Sequence, residues 1–163
     1  MLKHYRAGIY VGVMLVAGTF LAAGQQSQRP TILISSSKSD FKEGDPVKIH
    51  VILFNQTSEP FSVFKSVGEA HAELYYVLRV TAPNGKEAPL TPYGKAVQQR
   101  EVMAISRIRE FVKPGDSVGD NIDVSRMVDM SKTGTYRIQV RRPNPLSPKS
   151  DLESNTLTIT VDN

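Results

Sequence analysis

Two histidines stand within the body of the chain, His50 and His71, and His71-Ala-Glu73 sets an imidazole and a carboxylate two residues apart. On a strand, where side chains alternate, that pair shares one face, and with a third ligand from elsewhere it would hold a metal. No third ligand suggests itself. With no cysteine in 163 residues, thiolate zinc sites, thiol nucleophiles, disulfides and covalently attached haem are excluded. Gly115-Asp-Ser117-Val-Gly119 has the Gly-x-Ser-x-Gly order of a nucleophile elbow, but it follows Pro114 in an evident turn, and no histidine or acid is placed to complete a triad. Asp120, Asp123 and Asp129 lack the alternating run and terminal glutamate of a calcium loop, and read as turn and cap residues. No glycine-rich phosphate loop occurs. The expectation is therefore no catalytic residue, no metal and no cofactor.

Contact chemistry is better represented. Tyr93, in the turn-rich Leu90-Thr-Pro-Tyr-Gly94, is an aromatic suited to binding. Arg107 and Arg109 fall in one segment, with Arg100 nearby, and Arg141 and Arg142 in another, with Arg137. If the two segments are neighbouring strands, their guanidinium groups form one basic patch; the alternative is a mixed solvated face diluted by Glu101, Glu110 and Asp129. Aromatics interleaved with the bases are missing there, so nucleic acid is not expected as a partner. His50 is expected on the polar side of its strand. Asn55-Gln-Thr57 is a formal glycosylation sequon.

These residues need elements to position them, and the chain first needs a destination. Met1–Arg6 is basic, Ala7–Leu21 is an uncharged apolar run, and Ala22-Ala-Gly24 supplies small residues before the polar Gln25. That order is that of a secretory signal peptide over residues 1–24, followed by a flexible mature start at 25–30 and one domain at 31–163. An uncleaved membrane anchor is the alternative, because Ala7–Gly24 approaches spanning length. No cysteine near the cut allows a lipoprotein anchor. The segment carries two bases, Lys3 and Arg6, and no acid, so its removal lowers the net charge from +4 to +2. The high pI of 9.4 thus owes much to the leader. Export to a periplasmic or extracellular space without disulfides fits a bacterial envelope and requires a self-sufficient core.

Alternation of period two recurs downstream. Val47–Leu53, Leu74–Val80, Tyr136–Val140 and Leu157–Val161 are predicted strands, with weaker ones at Thr31–Ser36, Phe61–Phe64 and Ser117–Val124. Turns are predicted at Glu43–Pro46, Pro83–Gly85, Lys113–Asp116 and Lys132–Gly134, where glycine and proline set the backbone. Val97–Val112 fits a helix face as well as a strand, and its position among strands favours the latter. Ser125–Ser131 reads as a short helical turn capped by Asp123 or Ser125. Pro143–Pro148 reads as a loop. Seven or eight short strands separated by such turns predict an all-β, immunoglobulin-like antiparallel β-sandwich.

Phe41-x-x-Gly44-x-Pro-Val47-x-Ile-x-Val51-x-Leu-x-Asn55, then Thr57-x-Glu-Pro-Phe61, resembles the opening of such sandwiches on exported proteins. Lys113-Pro-Gly-Asp-Ser117, Ile122-Asp-Val-Ser125 and Gly134-Thr-Tyr136-Arg-Ile-Gln-Val140 extend the likeness. Similar layouts occur in the sandwich preceding deuterolysin-type metallopeptidases and in the bacterial proteinase-inhibitor family called BsuPI. The resemblance implies structural roles for Pro114 and Gly115 in a turn, and for Gly134 and Tyr136 in a tyrosine corner. It transfers no metallopeptidase activity, since no His-Glu pair exists in the chain. The function expected is a non-catalytic binding or accessory module with a protein or envelope partner, working through the loops Pro83–Gly94 and Pro143–Ser150. A proteinaceous protease inhibitor is the alternative.

Overall fold

The computed structural model describes residues 29–66, 71–101 and 107–163. The leader expected over residues 1–24 lies outside the described residues, as do 25–28. No helix among the described residues is long and apolar enough to cross a membrane.

Ten strands build an all-β sandwich: β1 (Thr31–Ser35), β2 (Asp40–Lys42), β3 (Lys48–Phe54), β4 (Phe61–Ser66), β5 (Val77–Thr81), β6 (Arg107–Val112), β7 (Ser117–Asp123), β8 (Gly134–Asn144), β9 (Ser147–Glu153) and β10 (Leu157–Asp162). One sheet has the order β1-β3-β7; the second has β2-β10-β8-β5, with β9 also on β8; β4 and β6 pair as a ribbon. Alternation explains the packing. Ile49, Val51 and Leu53 from the first sheet and Tyr136, Ile138, Val140 and Ile159 from the second are each at most 1% exposed and join one core. At about 25 cal/mol per Å² of apolar surface removed from water, that shared interior is what replaces disulfides here.

The structure adds to and revises the predicted elements. The described residues hold ten strands rather than seven or eight, and one pairing, β2 with β10, is parallel. It arises because the chain leaves β1 in the first sheet and crosses to the second, where Thr160 N–H bonds Ser39 C=O. Leu74 is not in a strand: Ala72–Tyr75 form a 3-10 turn, started by His71 in the left-handed region at φ 65°. The segment Val97–Val112 divides. Its start closes helix α1 (Pro92–Gln98), its end is β6, and Met103, Ala104 and Ile105 lie outside the described residues. Tyr93 therefore sits on a helix, not in a loop. The predicted loop Pro143–Pro148 is mostly strand: Pro143 and Asn144 end β8, Ser147 and Pro148 begin β9, and only Pro145 and Leu146 form the hairpin turn, with a register shift at Pro143/Asn144 that accommodates proline. Helix α2 (Val124–Met127) is capped by Asp123, whose carboxylate accepts from Arg126 N–H at 3.2 Å.

Candidate functional site

Three places gather polar chemistry, and the first centres on Tyr93. Thr91 caps α1, accepting from Gly94 N–H at 3.0 Å and donating to Arg126 C=O at 2.6 Å. Gly94 lies so close to α2 that an added Cβ would stand 2.0 Å from Met127 O. This packing turns Tyr93 toward the 3-10 turn, where its hydroxyl donates to the buried Glu73 carboxylate. His71 Nδ1 is 2.9 Å from the same hydroxyl. Since the phenol proton is committed to Glu73, that contact is a hydrogen bond when Nδ1 carries the hydrogen. Arg126 lies 4.1 Å above the Tyr93 ring and 3.9 Å from Glu73. Burial, then the bond to Glu73, pushes the Tyr93 phenol up to about 12. His71 and Glu73 do converge, 3.8 Å apart, but through a helical turn rather than a strand. Among the described residues no three His, Asp or Glu side chains gather to hold a metal. The cluster clamps α1, α2 and the 3-10 turn together.

The second place is buried. Tyr76 donates to Asp120 at 2.6 Å, and Arg142 donates to Tyr76 at 3.3 Å with its guanidinium 5.1 Å from the ring. All three are at most 7% exposed. Burial dominates both shifts: it raises the Tyr76 phenol well above its usual range and raises the Asp120 carboxyl despite the Tyr76 bond, Lys65 and Arg142. Arg142 was expected at the surface; it is instead an interior charge tying β8 to β7. Its position follows the inward parity of Tyr136, Ile138 and Val140.

The basic patch does not assemble through neighbouring strands. Arg107 and Arg109 are on β6, which pairs β4, whereas Arg141 and Arg142 are on β8, which pairs β5, β9 and β10. Arg141 is half-buried opposite Val77 and Glu153. Arg107 and Arg109 are exposed above Phe64. The remaining named residues are architectural in their contacts. Tyr136 donates to Lys132 C=O at 2.8 Å and accepts from Lys132 N–H at 3.2 Å, the geometry of a tyrosine corner. Gly134, at φ 126°, leaves no room for a Cβ, which would meet Pro83 at 2.8 Å. Pro114 and Gly115 form the turn between β6 and β7, with Gly115 N–H on Asn55 C=O at 2.8 Å. Asn55 is buried and its side chain bonds Glu59, Val112 and Thr57, so the sequon is closed off in the folded protein. His50 is exposed, 2.9 Å from Asn121.

Sequence reasoning missed the third place, a groove of about 520 Å³ at one end of the sandwich. Three turns wall it: Lys42–Asp45, Pro89–Pro92 and Val128–Ser131. Apolar lining comes from Val47, Leu90, Met130 and Val161, and charge from Glu43, Asp45 and Asp129 against Lys42. The Lys38 ammonium and the Lys42 N–H hold the Asp45 carboxyl below the usual carboxylate range, and bonds from Ser131 do the same for Asp129. Both acids are thus ionised at neutral pH, and Lys42 is engaged with the Asn163 carbonyl at 2.6 Å. The rim carries the acids Glu43, Asp45 and Asp129, with Asp45 paired to Lys38 at 2.8 Å, and the interior is apolar. Only the Pro89–Pro92 wall was within reach of sequence, as part of the predicted binding loop.

No protein-family model matches the chain, and no curated protein does. Among solved structures, a β-glucosidase from Listeria innocua in complex with glucose aligns at TM-score 0.39 and 9% identity, over 82% of this chain and 16% of that one. The bacterial hydrophobin BslA aligns at TM-score 0.37 and 10% identity, over 83% of this chain and 96% of that one. The chain spans less than a fifth of the glucosidase's length.

Proposed function

We propose that this chain is an exported, non-catalytic binding module that takes a short basic segment of a partner protein into the groove at the end of its sandwich. The observation that supports it is the groove itself: its volume is in the range of ligand sites, and ionised Asp45 and Asp129 flank an apolar interior. The walls are pre-shaped. Asp45 accepts from Lys42 N–H at 3.1 Å, Asp129 from Ser131 N–H at 3.0 Å, and Thr91 caps α1 while the Tyr93–Glu73 clamp fixes it from behind. Such pre-organisation lowers the entropic cost of holding a partner. A basic segment would gain charge complementarity at the rim and bury its apolar neighbours inside.

The test is capture from an envelope fraction by residues 25–163 and by Glu43→Arg. Among the described residues the buried core runs from Ile32 to Val161, within this span. A specific partner retained by the parent and lost by the variant supports the reading. Equal capture by both contradicts it. Inhibition across a panel of secreted proteases would replace it with the inhibitor reading.

A further inference from the structure

The β4–β6 ribbon has a face that the groove does not use. Its register sets Phe64 opposite Arg109 and Ser62 opposite Phe111, and Arg107 follows on the same side. The opposite side turns Phe61, Val63 and Val112 into the core. The outer face is exposed and apolar at two large rings: Phe64 is 43% and Phe111 59% accessible. Ile108, on the other side of β6, is 47% accessible, so the far end of the ribbon projects beyond the core. The Arg107 guanidinium stands 4.7 Å and that of Arg109 5.9 Å from the Phe64 ring, so cations and rings project side by side. The nearest acid on the ribbon, Glu110, lies on the other side and faces Lys65 at 3.9 Å.

From this we infer that the outer face of β4–β6 docks on an anionic lipid surface. Two arginines with no acid on their face of the ribbon among the described residues complement a negative headgroup layer, and their apolar stems and stacked ring can lie at the boundary. Phe64 and Phe111 project from a ribbon, not a cleft, and the 520 Å³ groove lies elsewhere. A fluid interface asks only for projecting rings flanked by cations, whereas a protein partner is usually anchored by side chains in pockets.

The chain has no tryptophan, so Phe111→Trp gives a single reporter on this face. Residues 25–163 carrying it would be mixed with vesicles of phosphatidylcholine alone, with vesicles containing phosphatidylglycerol, and with soluble polyglutamate. The expected result is a blue-shifted emission, quenched by brominated lipid, with the anionic vesicles only. Adding Arg107→Ala and Arg109→Ala weakens partitioning by about 30-fold, roughly fivefold for each cation. Replacing Phe64 by Ser in the reporter chain weakens it at unchanged charge; the thermal melt of each variant checks that it is folded. A shift with polyglutamate and none with vesicles would overturn the inference in favour of an acidic protein surface. No shift with any probe from the folded reporter overturns it as well.

Discussion

The Tyr76 hydroxyl donates to the Asp120 carboxylate at 2.6 Å, and this buried bond joins the chain entering β5 to β7, across the two faces of the sandwich. It is a polar link inside an apolar core, and such a link is costly to half-remove. Tyr76→Phe leaves Asp120 buried without its donor and should lower unfolding free energy by about 1–3 kcal/mol. A urea titration of parent and variant measures it.

Asp120 also sets a pH dependence. Its folded-state carboxyl is raised above the usual 3.8, so the native state binds more protons than the unfolded chain at pH values just above that. Its contribution is fully present below 3.8 and is lost as pH rises through the raised value. Asp120→Asn removes the titration. The stability of the parent relative to Asp120→Asn should therefore fall from acid toward neutral pH, read as the difference between their urea midpoints across that range.

Gly94 is where α1 meets α2. With Met127 O only 2.0 Å from an added Cβ, Gly94→Ala must push the helices apart. The cost should be about 1–3 kcal/mol, the range for overpacking. It would appear as a lower melting temperature together with a Tyr93 phenol that titrates earlier, because the clamp on Glu73 loosens.

Tyr93 itself is testable by alkaline spectrophotometric titration. Its phenol is held up to about 12 against the ordinary 10, so the native state keeps a proton that the unfolded chain releases. Stability should fall as pH rises between those values, and Tyr93→Phe should remove that part of the fall. A Tyr93 that ionises with ordinary phenols would contradict the clamp.

Much of this architecture follows from simple parity. The alternation in Val47–Leu53, Tyr136–Val140 and Leu157–Val161 placed the inner faces of β3, β8 and β10 because each strand is half-buried. The same parity carried the buried charges: Arg142 continues the inward row of β8, and Asp120 sits between inward Val118 and Ile122. An arginine looks like surface by type, so its parity went unheeded. The Tyr93–Glu73 clamp was not legible, since it joins residues 20 apart through a helix and a 3-10 turn that sequence alternation read as loop and strand. The groove was less so, being walled by three turns distant in sequence.

Occupation of that groove is the central claim, and the absence of cysteine allows a direct measurement. Glu43→Cys, labelled with a photo-crosslinker, places a probe on the groove wall, and Thr158→Cys places one on the exposed outer face of β10. Irradiated in an envelope fraction, the Glu43 probe should yield one discrete protein adduct whose crosslinked peptide carries Lys or Arg, and the Thr158 probe should not. The same adducts from both positions, or none from the groove, would contradict the account.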